Sequence, residues 1–213
     1  MVQGSGEAAR VRMPAERRRL RMAARIVSVR HQRRVPIFVQ GALGSCAGHA
    51  AVGMLGTDPF HVPGRELGAE DAVAVYGAAT ALDDIEGAYP PDDTGTRGVA
   101  VMEVLRRRGW ISGYARTRTL ERALRALVLA PGVTGFAWRA GCDAPDASGR
   151  VRYTGAASGG HQVVVVGLDA ERELVWLANS FGRAWGAHGY FCMSWRDYET
   201  ALQDGGEALF ATP

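Results

Sequence analysis

Four consecutive valines at 163–166 stand between Gln162 and Gly167-Leu168. An unbroken β-branched run has no polar alternate position, so it reads as a strand buried on both faces. Such a strand needs cover above and below, and the rest of the chain must supply it. Strand patterns recur at 133–138, 151–153, 162–167, 174–178, 189–194 and 208–211. Helical patterns fill the first half. Residues 47–55 are small and apolar and predict a buried helix, although Gly48 and Gly53 are poor helix formers. Residues 70–82 place Val73, Tyr76, Ala79 and Leu82 on one face, residues 99–108 end at Gly109, and residues 120–129 stop at Pro131. Residues 86–95, with Gly87, Pro90 and Pro91, predict a loop. Helices first and strands later predict an α+β fold. The expected organisation is a basic, flexible segment at 1–34, a helical lobe at 35–130 and a β-rich lobe at 131–213, with a cleft between the lobes.

Three distant stretches carry reactive groups. Gln40-Gly-Ala-Leu-Gly-Ser-Cys46 ends in a cysteine at the start of the first predicted helix. Free backbone N–H groups there lower a thiol pKa, as does a nearby imidazolium. Gly160-His161 opens the valine strand, where a histidine is held rigidly and faces a cleft. Asn179 follows the next strand, one hairpin away, and is placed to accept a ring N–H and set the tautomer. The Gln40 side-chain amide and the Cys46 backbone N–H are candidate oxyanion donors. His49, three residues past Cys46, is expected to be a packed residue, since helix geometry points it away from the thiol. His31, His61 and His188 show no metal-ligand spacing, and neither a metal nor a cofactor is expected.

Composition bounds the rest. The chain has 213 residues, 47% of them hydrophobic, enough for one domain or two small lobes. Residues 1–34 hold ten arginines against Glu7 and Glu16, a local charge of +8, whereas the formal net charge is +3; the remainder is therefore −5. The apolar stretch at 22–29 is short, contains Arg25 and lacks a small-residue cleavage site, so it predicts no signal peptide. No apolar run reaches a membrane span. Three cysteines, Cys46, Cys142 and Cys192, form no disulfide framework and predict a reducing, cytoplasmic setting. The expected partner is a peptide or protein substrate, without membrane or nucleic acid. Contact of the Arg-rich start with an acidic partner stays open.

The motifs resemble those of the papain-like cysteine peptidases, as in a short bacterial or phage-type member. Gln40, Cys46, His161 and Asn179 match that family's pattern one by one, and Trp185-Gly186 and Gly189-Tyr190 match the tail that follows its Asn-Ser-Trp-Gly. The resemblance spans residues 35–213. It implies a two-lobe fold, with the helical lobe carrying Cys46 and an antiparallel sheet lobe carrying His161 and Asn179. It also implies substrate contacts at Gly160, Gln162, Gly95, Phe181 and Trp185. The chain departs from the pattern at Ala47, where tryptophan is usual, at His49, where an aromatic is common, at Phe181 in place of tryptophan, and at Leu43 in place of a bridged cysteine. The usual Cys-x-Gly-Gly substrate strand is missing, so Asp93-Thr94-Gly95 is the expected replacement wall.

The expected activity is peptide hydrolysis through a thioester. Two alternatives remain at this stage: an amidase or amide-forming acyltransferase using the same triad, and a catalytically degenerate peptide-binding protein.

Overall fold

The computed structural model describes residues 26–212. Seven strands form one sheet: β1 (Val29–Arg30), β2 (Gly113–Thr117), β3 (Gly132–Arg139), β4 (Ala157–Asp169), β5 (Leu174–Ala178), β6 (Tyr190–Ser194) and β7 (Glu207–Thr212). Their order is β2-β7-β3-β4-β5-β6, with β1 added along β4, and every pair is antiparallel. The valine run lies in β4, which pairs with β3 on one side and with β5 on the other. The helices are α1 (Cys46–Leu55), α2 (Ala69–Thr80), α3 (Gly98–Arg107), α4 (Leu120–Leu129) and α5 (Trp195–Gln203).

The alternation of β4 explains why all four valines are buried. Val163 and Val165 join a core shared with α4 and α5, whose largest members include Trp195 and Tyr198, and a register shift between Val165 and Gly167 brings Leu168 to the same side. Val164 and Val166 join the opposite core, shared with α1, α2 and α3. Successive side chains of a strand point to opposite faces, so one run serves two cores. β2 and α4 belong with the sheet, although both precede residue 130 in the chain.

α1 is buried along its whole length after Cys46. Its two glycines serve close approach. A Cβ on Gly48 would lie 2.2 Å from the Ala72 carbonyl oxygen of α2, and one on Gly53 would lie 2.5 Å from Arg33. α2 buries Tyr76 and Ala79 of the expected face together with Ala72 and Val75, whereas Val73 is half-buried and Leu82, beyond the helix, is exposed. The sequence reading also missed β1, β2 and α5. α5 has a local signal, since Ser194 caps it by accepting a hydrogen bond from the Asp197 N–H at 3.1 Å. The expected strand at 151–153 is irregular, with only a bridge from Arg150 to Cys192.

The basic segment expected to be flexible at 1–34 is part of the body from residue 26 onward; residues 1–25 lie outside the described residues. Ile26 is buried in the α4–α5 core. The His31 N–H donates to the Val166 carbonyl at 2.8 Å, and the Arg30 guanidinium lies over the rings of Trp176 and Tyr190. Arg33 donates to the Val35 and Pro36 carbonyls and lies over Phe38. Burial desolvates its guanidinium, which pulls its pKa down to about 10. Arginine packs this way because its weakly hydrated planar head stacks on aromatic faces. Among the described residues no helix is long and apolar enough to cross a membrane.

Candidate active site

Cys46 is the first residue of α1, and the segment leading to it is tied to the chain after β5. The Gln40 N–H donates to the Ser180 carbonyl at 2.9 Å, the Gly182 N–H donates to the Phe38 carbonyl at 3.0 Å, and Val39 bridges Phe181. This short antiparallel clasp joins the segment before Cys46 to the segment after Asn179. It also sets Gln40. The Ser180 hydroxyl donates to Gln40 Oε1 at 2.6 Å, and Gln40 Nε2 donates to the Leu43 carbonyl at 2.9 Å. The amide has two N–H groups, so one remains for another acceptor.

His161 lies in β4 and is buried. Its Nε2 is 2.8 Å from Asn179 Oδ1. That oxygen also accepts the Ser180 N–H at 2.8 Å, which fixes the orientation of the amide. An amide oxygen only accepts, so Nε2 carries the proton and Nδ1 keeps a lone pair. Phe181 stacks on the imidazole at 4.9 Å between centroids, and Trp138 meets it edge-on at 4.7 Å. Burial pushes the His161 pKa down to about 4, against the Asn179 bond, which favours the charged ring.

Cys46 and His161 line one cleft of about 840 Å³. Gln40 and Gly44 stand with Cys46, and Gly160 and Gln162 stand with His161. Burial pushes the Cys46 thiol up; the backbone N–H groups of Gln162, Ala47 and Cys46 oppose this, and the Asp93 carboxylate adds to it. Cys46 Sγ makes no hydrogen bond to the His161 ring among the described contacts. Both shifts run toward the uncharged form of the group concerned. The physical reason is desolvation, which penalises either charge alone.

Thr94, Gly95 and Thr96 border the same cleft. They are held by Asp93, which accepts the Gly44 N–H at 3.0 and 2.9 Å and the Tyr76 hydroxyl at 2.5 Å. Burial and the Asp93 carboxylate push the Tyr76 phenol up to about 12, so it stays a donor. Gln162 reaches across from β4 and donates to the Thr96 carbonyl at 3.2 Å. Phe181 and Trp185, expected to touch substrate, do not line the cleft. Trp185 packs between Phe181 and Phe191, and of these rings Phe181 stacks on His161. Asn179 lies behind the histidine. Sequence reasoning missed Trp138, Ser180 and Tyr76. Only Ser180 had a local signal, its place directly after Asn179.

These elements, with the helices and the sheet meeting at a cleft between Cys46 and His161, make up the papain-like two-lobe α+β fold. Solved structures share it. Xylellain, a cysteine protease from Xylella fastidiosa, superposes with a TM-score of 0.67 at 16% identity, covering 90% of this chain and 88% of that one. The Carica candamarcensis cysteine protease CMS1MS2, solved with E-64, gives 0.57 at 17% identity, covering 84% and 92%. Digestive procathepsin L 3 of Tenebrio molitor gives 0.57 at 16%, covering 84% of this chain and 66% of that one. No family model matches the chain, and no curated protein matches it in sequence.

Proposed function

We propose that this protein is a cysteine peptidase that hydrolyses peptide bonds through Cys46, His161 and Asn179. The observation that carries the reading is the 2.8 Å bond from His161 Nε2 to Asn179 Oδ1, on a histidine that shares its cleft with a cysteine at a helix N-terminus. With Nε2 engaged, Nδ1 is the ring atom available to the thiol.

In this reading the proton moves when attack begins. Nδ1 takes the Sγ proton as sulfur adds to the substrate carbonyl. The free Gln40 N–H and the Cys46 backbone N–H hold the oxyanion. As the C–N bond breaks, Nδ1–H protonates the leaving amine and a thioester remains. Water then attacks that carbonyl and gives its proton to Nδ1; the proton returns to sulfur as the acid departs. Gly160, Gln162 and Gly95 contact the substrate from the cleft walls. Three free cysteines, two of them buried, support a reducing, cytoplasmic setting.

The test is peptide cleavage together with E-64 binding, E-64 being the inhibitor bound in the Carica candamarcensis structure. Wild type should cleave peptides and take up E-64 on Cys46, and Cys46→Ala should do neither. Equal iodoacetamide reactivity of Cys46 and Cys142, with unchanged activity in Cys46→Ala, would overturn the reading. Product analysis with an added amine separates hydrolysis from acyl transfer.

A further inference from the structure

Behind the His161–Asn179 pair lies a second, small space of about 10 Å³, bordered by His49 of α1 and by Asn179, with Arg33, Phe38 and Ser180 around them. His49 is buried. Its Nδ1 lies 3.0 Å from the Ser45 carbonyl and 3.1 Å from the Ser45 hydroxyl. A carbonyl only accepts, so Nδ1 carries the ring proton and Nε2 presents a lone pair. That Nε2 is buried and has no partner in the protein. Asn179 Nδ2 is also buried and has no partner, while its Oδ1 serves His161 and Ser180. One orphan accepts, the other donates, and both residues border the same space. Buried polar groups are almost always paired, through water where direct contact fails. A space of this size is at the threshold for a single water.

We propose that His49 is a positioning residue of the active site: a water held in this space accepts from Asn179 Nδ2 and donates to His49 Nε2. The helix that bears the nucleophile thereby also holds the amide that orients the nucleophile's base. The link acts on Asn179 from the side opposite His161, so it resists rotation of the amide about its terminal bond. A flipped amide would turn Nδ2 toward His161 Nε2–H, two donors facing each other, and the ring would lose its tautomer. Arg33, the charged group on this space, already donates to backbone carbonyls. It favours a neutral His49, in keeping with the lowered His49 pKa, whose first cause is burial. The inference rests on the proposed peptidase chemistry only for its kinetic readout.

Three measurements test it. A crystal structure of the wild type that shows ordered solvent should contain one water bonded to both His49 Nε2 and Asn179 Nδ2; a dry space would overturn the proposal without any variant having to fold. Imidazole nitrogen NMR should show His161 as a single Nε2–H tautomer in wild type and in His49→Gln, which keeps an acceptor, and as a mixture in His49→Phe, which keeps the ring volume alone. For peptide cleavage, His49→Phe should lower kcat roughly ten-fold at unchanged KM, well short of the ~10⁴-fold loss seen when an orienting residue itself is replaced, and His49→Gln should recover most of it. Unchanged tautomer and kcat in a folded His49→Phe would overturn the proposal. If wild type cleaves no peptide, the peptidase reading fails, while the water and tautomer measurements still decide this one.

Discussion

His161 holds its ring proton toward Asn179, and burial keeps the ring neutral until about pH 4. Peptide cleavage should therefore fall on the acid side with a midpoint near that value. Ultraviolet difference spectra of wild type against Cys46→Ala should show no thiolate band at neutral pH, because burial pushes the Cys46 thiol up; a band there would mean that the ion pair is already formed at rest. Folding is coupled to the same proton. The folded pKa lies below the ordinary 6.5, so the unfolded chain binds more protons between the two values. The stability involved is full above pH 6.5 and is lost as the pH falls toward 4, on the order of 3 kcal/mol in all. Chemical denaturation across that range measures it. Gln40 gives a second test at this scale. Its alanine variant should lose about 10²–10³ in kcat if its free N–H meets the oxyanion. Ser180→Ala, which only releases Gln40 Oε1, should lose less. The identities of Cys46, His161, Asn179 and Gln40 were legible in the sequence because their spacing is local to element starts and ends. Trp138 was not, because its contact with His161 depends on the β3–β4 register, which pairs Phe136 with His161.

α1 shows how an element can contradict local propensity for a tertiary reason. Gly48→Ala should raise intrinsic helix propensity by about 1 kcal/mol. It should still destabilise the protein by roughly 1–3 kcal/mol, because the new Cβ would meet the Ala72 carbonyl at 2.2 Å. Urea titration checks the sign. The valine strand, by contrast, was readable outright. Its pattern declared burial on both faces, and the two cores on either side of β4 bear that out. α5 went unread because its start follows directly on β6 with no break, so the strand pattern of 190–194 masked the Ser194 cap. β1 and β2 are short or half-exposed, and their strand character comes from the partners that hydrogen-bond them.

Across the whole molecule, the chain from residue 26 is a structural strap. It lies on β4, seals the α4–α5 core with Ile26 and brings Arg33 behind the candidate active site. Ile26→Ala should cost about 2 kcal/mol or more, lowering Tm by roughly 2–4 °C for each kcal/mol in a protein of this size. Calorimetry would show it, and an unchanged Tm would mean that the strap contributes nothing. The basic composition of that region pointed to a solvated tail, since charge along a sequence does not reveal which guanidinium heads will stack on aromatic rings. By itself the sequence determined the α+β class, the doubly buried strand and the candidate reacting groups, because each depends on residue type and near-neighbour spacing. The tertiary structure alone decided that β2 and α4 join the sheet, which residues of α2 are buried, that Phe181 stacks on the histidine outside the cleft lining, and that the Cys46 and His161 side chains are desolvated. All four depend on which distant surfaces exclude water from one another, and that is set only when the chain closes on itself.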